Sequence, residues 1–493
     1  MVNLQDKTFS PSVEPRGTAF NRGAESIASN LRTQVRTKMI GKGYSKEVKW
    51  IIRHLKNRKA PGPDGINNRV LKELPDSAVK VISTIINAIL ALKHFPPRWK
   101  EAKIVLLPKP GKTRTDPRNY RPISLLNPLS KLAEKIIFKR FSLQIKNNGI
   151  IRNEQHGFRP KHSTTTQLIR HITNIRRGFR GKRSTAGLYL DIERAFDKVW
   201  HSGLIRKLAV AVIDDVYIHL INNYLSGRTF FTSVNNNAST VREIRAGVPQ
   251  GSILGPLLFN LHINDMPHLS QYNNSQLHIY ADDTLITGQS LRPEYAVRQI
   301  QRNVALLEPW LTKWRIKINV NKCQAVLYTR RTSPALINPP EITMFGTAIP
   351  WTAEAKYLGL ILDRKLLFGP HIRSVIAKAY SRYRLLLPLM NTKDGLPIKT
   401  ALLMYKTLLR PIITYASPAW GDLAAYKMAK LQTFQNRVLY RIAQLPRIVS
   451  SATLHRELRI DQIGEFIHWT SIRERWRYEN HPNPLIAEHA PEA

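Results

Sequence analysis

An α+β fold is predicted by three features of this 493-residue chain: strand-like runs alternate with helical ones, an acidic dipeptide joins two apolar runs, and long basic helices follow. The alternation alone also fits an α/β pattern. The length is ample for a buried core and leaves room for roughly three or four units of ordinary size.

Taken in order, residues 1 to about 44 are polar, rich in Ser, Thr, Arg and Asn, and hold neither the helix nor the strand period, which predicts a weakly ordered tail. From Ser45, the apolar residues Val48, Ile51, Ile52 and Leu55 recur at i, i+3, i+4 and i+7, one buried stripe of a helix. Pro61, Gly62, Pro63 and Gly65 then exclude helix and force a rigid turn. Strand-like runs follow at residues 103–107, 188–191, 278–280 and 357–362. After about Phe368 the pattern becomes helical and basic, with Ile372, Val375, Ile376 and Tyr383 on one face and Arg373, Lys378, Arg382 and Arg384 largely off it. No repeat of solenoid period is present.

Lys and Arg number 76 against 34 Asp and Glu, a formal net charge of +42 with a pI near 10.5. Self-repulsion of that size calls for a polyanionic partner, and nucleic acid is the commonest one. The plainer alternative is a basic, solvated surface. The single cysteine, Cys323, excludes an intrachain disulfide framework and a multi-cysteine zinc module. The N-terminus carries no apolar signal core, and the longest apolar stretch, residues 81–92, is broken by Ser83, Thr84 and Asn87. A spanning helix needs about 20 apolar residues, so a soluble, intracellular chain without a membrane partner is expected.

The segment Tyr280-Ala281-Asp282-Asp283-Thr284 lies between Leu277-His278-Ile279 and Leu285-Ile286-Thr287. Two β-prone runs joined by adjacent acids predict a hairpin with the acids at its tip. Asp191 ends another apolar run, Leu188-Tyr189-Leu190. Carboxylates are the ligands Mg²⁺ prefers, and adjacent acids converging with a third repel unless a cation stands between them. An Asp-Asp pair by itself is usually a turn; here the flanking apolar pattern predicts a buried pair, for which an uncompensated charge is costly.

These residues resemble the reverse transcriptases of jockey-like non-LTR retrotransposons. Tyr280–Asp283 is similar to the family's catalytic box and Asp191–Asp197 to its first metal-binding block. Residues 119–126 (NYRPISLL) and 155–160 (QHGFRP) resemble its fingers segments, and residues 247–252 (GVPQGS) its palm loop, all in the family's order. Residues 59–66, the KYLG run at 356–359, and the ending around Asn436-Arg437 and His481-Pro482-Asn483 resemble jockey-like elements more particularly. The likeness runs from about Ser45 to the end.

The resemblance implies a right-hand polymerase fold: an N-terminal extension and fingers over 45–180, an antiparallel palm over 181–368, a helical thumb over 369–445 and a C-terminal extension over 446–493. Fingers and palm together would form a reverse transcriptase domain of about 90–363. It implies an RNA-directed DNA polymerase that adds dNTPs to a primer 3′ hydroxyl with two Mg²⁺ ions, or Mn²⁺. Asp191 and Asp282 would hold the ions with the backbone carbonyl of Ile192, and Asp283 would support them. Phe196 matches the ring that excludes a ribose 2′ hydroxyl; its plainer reading is core beside Ala195 and Val199. Gln250 matches a contact to the incoming nucleotide, Lys109 and Arg121 the fingers cations on the triphosphate, and Lys322 a lysine on the departing pyrophosphate. Lys103 and Lys112 stand close to Lys109 as alternatives, and a solvated surface lysine is the plain reading of Lys322. Cys323 reads as a small packed residue rather than a nucleophile. The basic helices would lie along the template-primer duplex, or else form a solvated bundle.

The partners implied are an RNA template, a DNA primer or target and dNTPs, in the nucleus and in a cytoplasmic ribonucleoprotein. No endonuclease or ribonuclease H pattern is legible, so a truncated copy is expected, with endonuclease supplied in trans. Three other readings stay open: an RNA-dependent RNA polymerase, against which Phe196 argues; a group II intron maturase, against which the ending argues; and an inert, basic RNA-binding relic.

Overall fold

The computed structural model describes residues 45–211, 213–234, 237–267, 274–331, 339–390, 396–446 and 448–489, so the tail expected over residues 1–44 lies outside the described residues. The chain divides into two compact units, Met1–Phe158 with Ile192–Pro267 and Leu306–Asn319, and Arg159–Asp191 with His268–Ala305 and Val320–Ala493.

In the first unit, the predicted helix spans Ser45–Arg53 and buries Val48, Ile51 and Ile52, while Leu55 falls beyond its end. A longer helix, Asp76–Leu92, buries Ile82, Ile86 and Ile89 and stops where Lys93 turns left-handed. The predicted strand at 103–107 extends over Glu101–Pro108. It pairs antiparallel with Tyr120–Leu126 and parallel with Arg228–Val234. Alternate residues Ala102 and Ile104 face inward with Leu126, Phe230 and Ile244, the period-2 burial that one covered sheet face produces.

The second unit is built on helix α1, Thr164–Arg180, and a four-stranded sheet. A reciprocal cap opens α1: Ser163 Oγ accepts the Thr166 N–H at 3.1 Å, and Thr166 Oγ1 accepts the Ser163 N–H at 3.0 Å. The strands are β1 (Ser184–Asp191), β2 (Ser275–Tyr280), β3 (Asp283–Ser290) and β4 (Gln324–Tyr328), ordered β2-β3-β1-β4 and antiparallel throughout. Because β1 has a strand on each side and is covered on both faces, all its residues but Asp191 are buried. That explains why the sequence there is continuously apolar rather than alternating.

Residues 357–362 are not one strand, as the sequence predicted, but a hairpin of Glu354–Tyr357 and Leu360–Asp363. Leu358 and Gly359 turn it with φ of 44° and 91°, a left-handed pair that a continuous strand cannot hold. The basic helices form as expected: α2 (Gly369–Met390), α3 (Ala425–Ala443) and α4 (Ile463–Glu479). In α2, Ile372, Val375 and Tyr383 are buried, Ile376 is partly buried, and Arg373, Lys378, Arg382 and Arg384 are exposed. These helices share one core with the sheet, joining Leu168, Tyr189 and Leu285 to Trp420 and Phe434. Mixed helices and sheets of this kind make the fold α+β. Among the described residues, no helix is long and apolar enough to cross a membrane.

Candidate active site

The second unit carries the acids. Strand β2 ends at Tyr280 and β3 begins at Asp283, with Tyr280 and Asp283 paired across the hairpin, so the turn is Ala281-Asp282. Ala281 is buried with φ of 56°, a backbone state that costs an ordinary residue about 1–2 kcal/mol. On the other side of β3, the ladder sets Asp191 directly opposite Asp283. Residues so paired have Cα atoms about 4.5–5.5 Å apart. Register alone therefore delivers two of the acids to one end of the sheet, with Asp282 next in the turn.

One expectation is corrected here. Asp282 and Asp283 are exposed rather than buried, because the tip projects past the apolar part of the hairpin; burial resumes at Ala281 and Thr284. The carboxyl of Asp283 is nonetheless raised to about 6, first by local crowding and then by the negative charges of Asp282 and Asp191. Lys322 Nζ stands 3.7 Å from Asp191 Oδ2. Cys323 is buried, and burial pushes its thiol up to about 11, which suits packing and not nucleophilic attack.

The donor set fits a hard divalent cation. It offers carboxylate oxygens and is open to solvent, and local crowding together with the neighbouring negative charges of Asp282 and Asp191 raises the Asp283 carboxyl. Among the described residues no group of three His, Cys, Asp or Glu side chains stands ready as a closed metal centre. Mg²⁺ seldom uses one: it keeps waters and takes one or two carboxylates together with substrate phosphates.

The first unit carries the other candidates. Ile192 is buried and bridges Ile318. Phe196 is half-buried, stacked on Phe259 at 4.5 Å between centroids and meeting Phe158 edge-on at 5.8 Å. Its ring is thus held in place on two sides with part of it exposed. The loop at 247–251 is fastened to the turn that holds Phe196: the Val248 N–H donates to Phe196 O at 2.7 Å and the Gly247 N–H to Val199 O at 2.8 Å. Gly247 has φ of 91°, and a Cβ there would lie 2.5 Å from Asp197 O, so only glycine fits.

Gln250 Nε2 donates to Asp197 Oδ1 at 2.6 Å. Asp197 is buried, and burial raises its carboxyl to about 7 against the opposing pull of Gln250, Arg194 and Lys109. Lys109 extends the first unit's ladder, its N–H donating to Asn119 O at 2.7 Å, and Arg121 pairs with Leu107 two positions back. The two cations therefore share one face of that hairpin. Lys103 pairs with Leu125 farther along the ladder.

Sequence reasoning missed two supports. Asp197 and Gln250 are 53 residues apart, and nothing local signals their bond. Glu134 is wholly buried and its Oε2 accepts the N–H groups of Ile253, at 2.7 Å, and Leu254, at 3.3 Å, just past Gln250. An acid inside a helix of ordinary composition gives no such hint.

Residues 107–362 match the family described as Reverse transcriptase (RNA-dependent DNA polymerase). Among curated relatives, the Probable RNA-directed DNA polymerase from transposon BS of Drosophila melanogaster is 35% identical over 444 residues, 89% of this chain and 49% of that protein. The Probable RNA-directed DNA polymerase from transposon X-element of the same fly is 36% identical over 445 residues, 90% of this chain and 48% of the relative. The RNA-directed DNA polymerase from mobile element jockey, also of that fly, is 31% identical over 489 residues, covering 97% and 53%. The chain spans about half the length of these relatives.

Proposed function

Since the chain belongs to the reverse transcriptase family, we propose that it extends a DNA primer on an RNA template, joining dNTPs by two-metal nucleotidyl transfer. The observation that carries the reading is the register that faces Asp191 with Asp283 beside a turn bearing Asp282. Bound Mg²⁺, or Mn²⁺, would offset the triphosphate charge and favour ionisation of the primer 3′ hydroxyl.

Each residue then has a part. Asp191 and Asp282 would hold the ions with the Ile192 carbonyl, and Asp283 would add negative charge beside them. Lys322, beside Asp191, would donate a proton to pyrophosphate. Lys109 and Arg121 hold phosphates from one face of their hairpin. Phe196 has its ring fixed by Phe158 and Phe259, so a 2′ hydroxyl against it finds no room. Gln250, kept in one orientation by Asp197, contacts the incoming nucleotide. The fingers, palm and thumb assignments over 45–180, 181–368 and 369–445 belong to the same proposal.

The test is primer extension with poly(rA), oligo(dT), dTTP and Mg²⁺. Extension is expected, and its absence across metals and salts would favour an inert RNA-binding chain. Asp282→Asn should abolish synthesis while RNA binding, measured separately, is kept; loss of both would make the acid structural.

A further inference from the structure

A second charged site lies in the second unit, at the end of the sheet away from the acids. Arg176 and Arg180 are on the last turn and a half of α1, and Arg330 follows β4. Since Thr185 pairs with Tyr328, these residues gather at the Ser184 end of β1, whereas Asp191 is its last residue. An eight-residue strand separates the two ends by roughly 23 Å. There the three arginines line a cavity of about 440 Å³; among the described residues that line it, Asp422 is the one acid, bound to Arg176 at 2.5 Å. Arg330 covers the ring of Phe179 at 5.0 Å.

Helix α4 forms one wall of this cavity through His468 and Ser471. It packs inward through Ile463 and Ile467. Yet its outer face is apolar too: Trp469, Ile472 and Trp476 are 64%, 43% and 69% exposed. At i, i+3 and i+7 they form one stripe, with the two indoles about 10 Å apart along the axis. Arg473 and Arg477 lie along one edge of it, both exposed, with Arg477 bound to Glu474 at 2.6 Å. An exposed apolar stripe bearing two indoles marks an interaction surface. Flat rings edged by guanidiniums, beside a cationic cavity, match a partner that alternates π-faces with phosphates.

We propose that the arginine cavity and the outer face of α4 together bind single-stranded RNA, the guanidiniums holding phosphates and the indoles stacking bases. The choice of RNA rests on the proposed function: the strand such an enzyme meets unpaired is the template not yet copied, while its DNA product leaves base-paired. The site would hold template far from the point of synthesis.

The test measures fluorescence anisotropy of labelled single-stranded RNA, single-stranded DNA and duplex RNA with the full chain, with Trp469→Ala/Trp476→Ala and with Arg180→Gln. Extension of a short primed template is measured alongside. The double tryptophan variant should bind single-stranded RNA at least about tenfold more weakly, with duplex RNA little changed, and Trp469→Phe/Trp476→Phe should restore most of the loss. Short-template extension should match the parent. Unchanged single-stranded RNA affinity in the double variant overturns the proposal, as does equal loss for duplex RNA. A larger loss for single-stranded DNA than for RNA overturns the choice of partner. If the parent chain fails to extend any primer while the tryptophan variants lose RNA, the polymerase reading falls and the RNA surface stands.

Discussion

A buried carboxyl held near neutrality makes stability depend on pH in a direction that can be worked out. Asp197 rises from an ordinary 3.8 to about 7 because it is buried. The folded chain thus keeps a proton that the unfolded chain releases near pH 4. That contribution is full below the lower value, shrinks as pH rises, and is gone above about 7. Asp197→Asn keeps an oxygen to accept the Gln250 N–H but has nothing to ionise. Its unfolding free energy in urea should therefore gain on the parent's between pH of about 4 and about 7 by a few kcal/mol at most. Parallel curves for the two chains would remove the account. Phe196 makes a separate claim about chemistry. Its ring is clamped by Phe158 and Phe259, so Phe196→Val opens space that neighbours do not refill. Incorporation of ribonucleotides relative to deoxynucleotides should rise about tenfold or more; unchanged sugar discrimination would show that the ring is ordinary packing.

Elements explain which parts of the fold were legible. The hairpin of β2 and β3 could be read because its apolar runs are local and its acids adjacent; β1 could be read because burial on both faces leaves an unbroken apolar run. The exposure of Asp282 and Asp283 could not, since it depends on how far a turn projects beyond its sheet. The Gln250–Asp197 bond and the Glu134 support join residues 53 and about 120 apart, beyond any periodicity. The outer stripe of α4 was hidden because apolar residues on both faces blur the helical pattern. The turn at Leu358-Gly359 was misread because Lys-Tyr-Leu-Gly-Leu-Ile-Leu is β-prone from end to end. The structure gives a physical check on that turn. Tyr415 Oη donates to Leu358 O at 3.0 Å, and a Cβ on Gly359 would meet the Tyr415 ring at 2.9 Å while φ stays at 91°. Gly359→Ala should cost about 1–3 kcal/mol, seen as a lower urea midpoint; Tyr415→Phe should cost about 1 kcal/mol or less. Equal midpoints for Gly359→Ala and the parent would mean that the turn relaxes freely.

At the scale of the whole molecule, the excess of +42 charges and the stacking surface make distinguishable demands on binding. Phosphate neutralisation releases counterions, so affinity for a single strand falls with salt at a log–log slope of about −0.7 per phosphate engaged. Stacking on an indole releases none. Single-stranded RNA binding by the full chain should therefore weaken steeply between about 50 and 200 mM salt, and the two kinds of substitution should separate on that plot. Arg180→Gln should make the slope shallower by about 0.7, whereas Trp469→Ala/Trp476→Ala should lower the whole line without turning it. If the tryptophan variant changes the slope and the arginine variant does not, the indoles are acting by positioning charge elsewhere in the chain, and the division of labour drawn from the cavity and the α4 face is wrong.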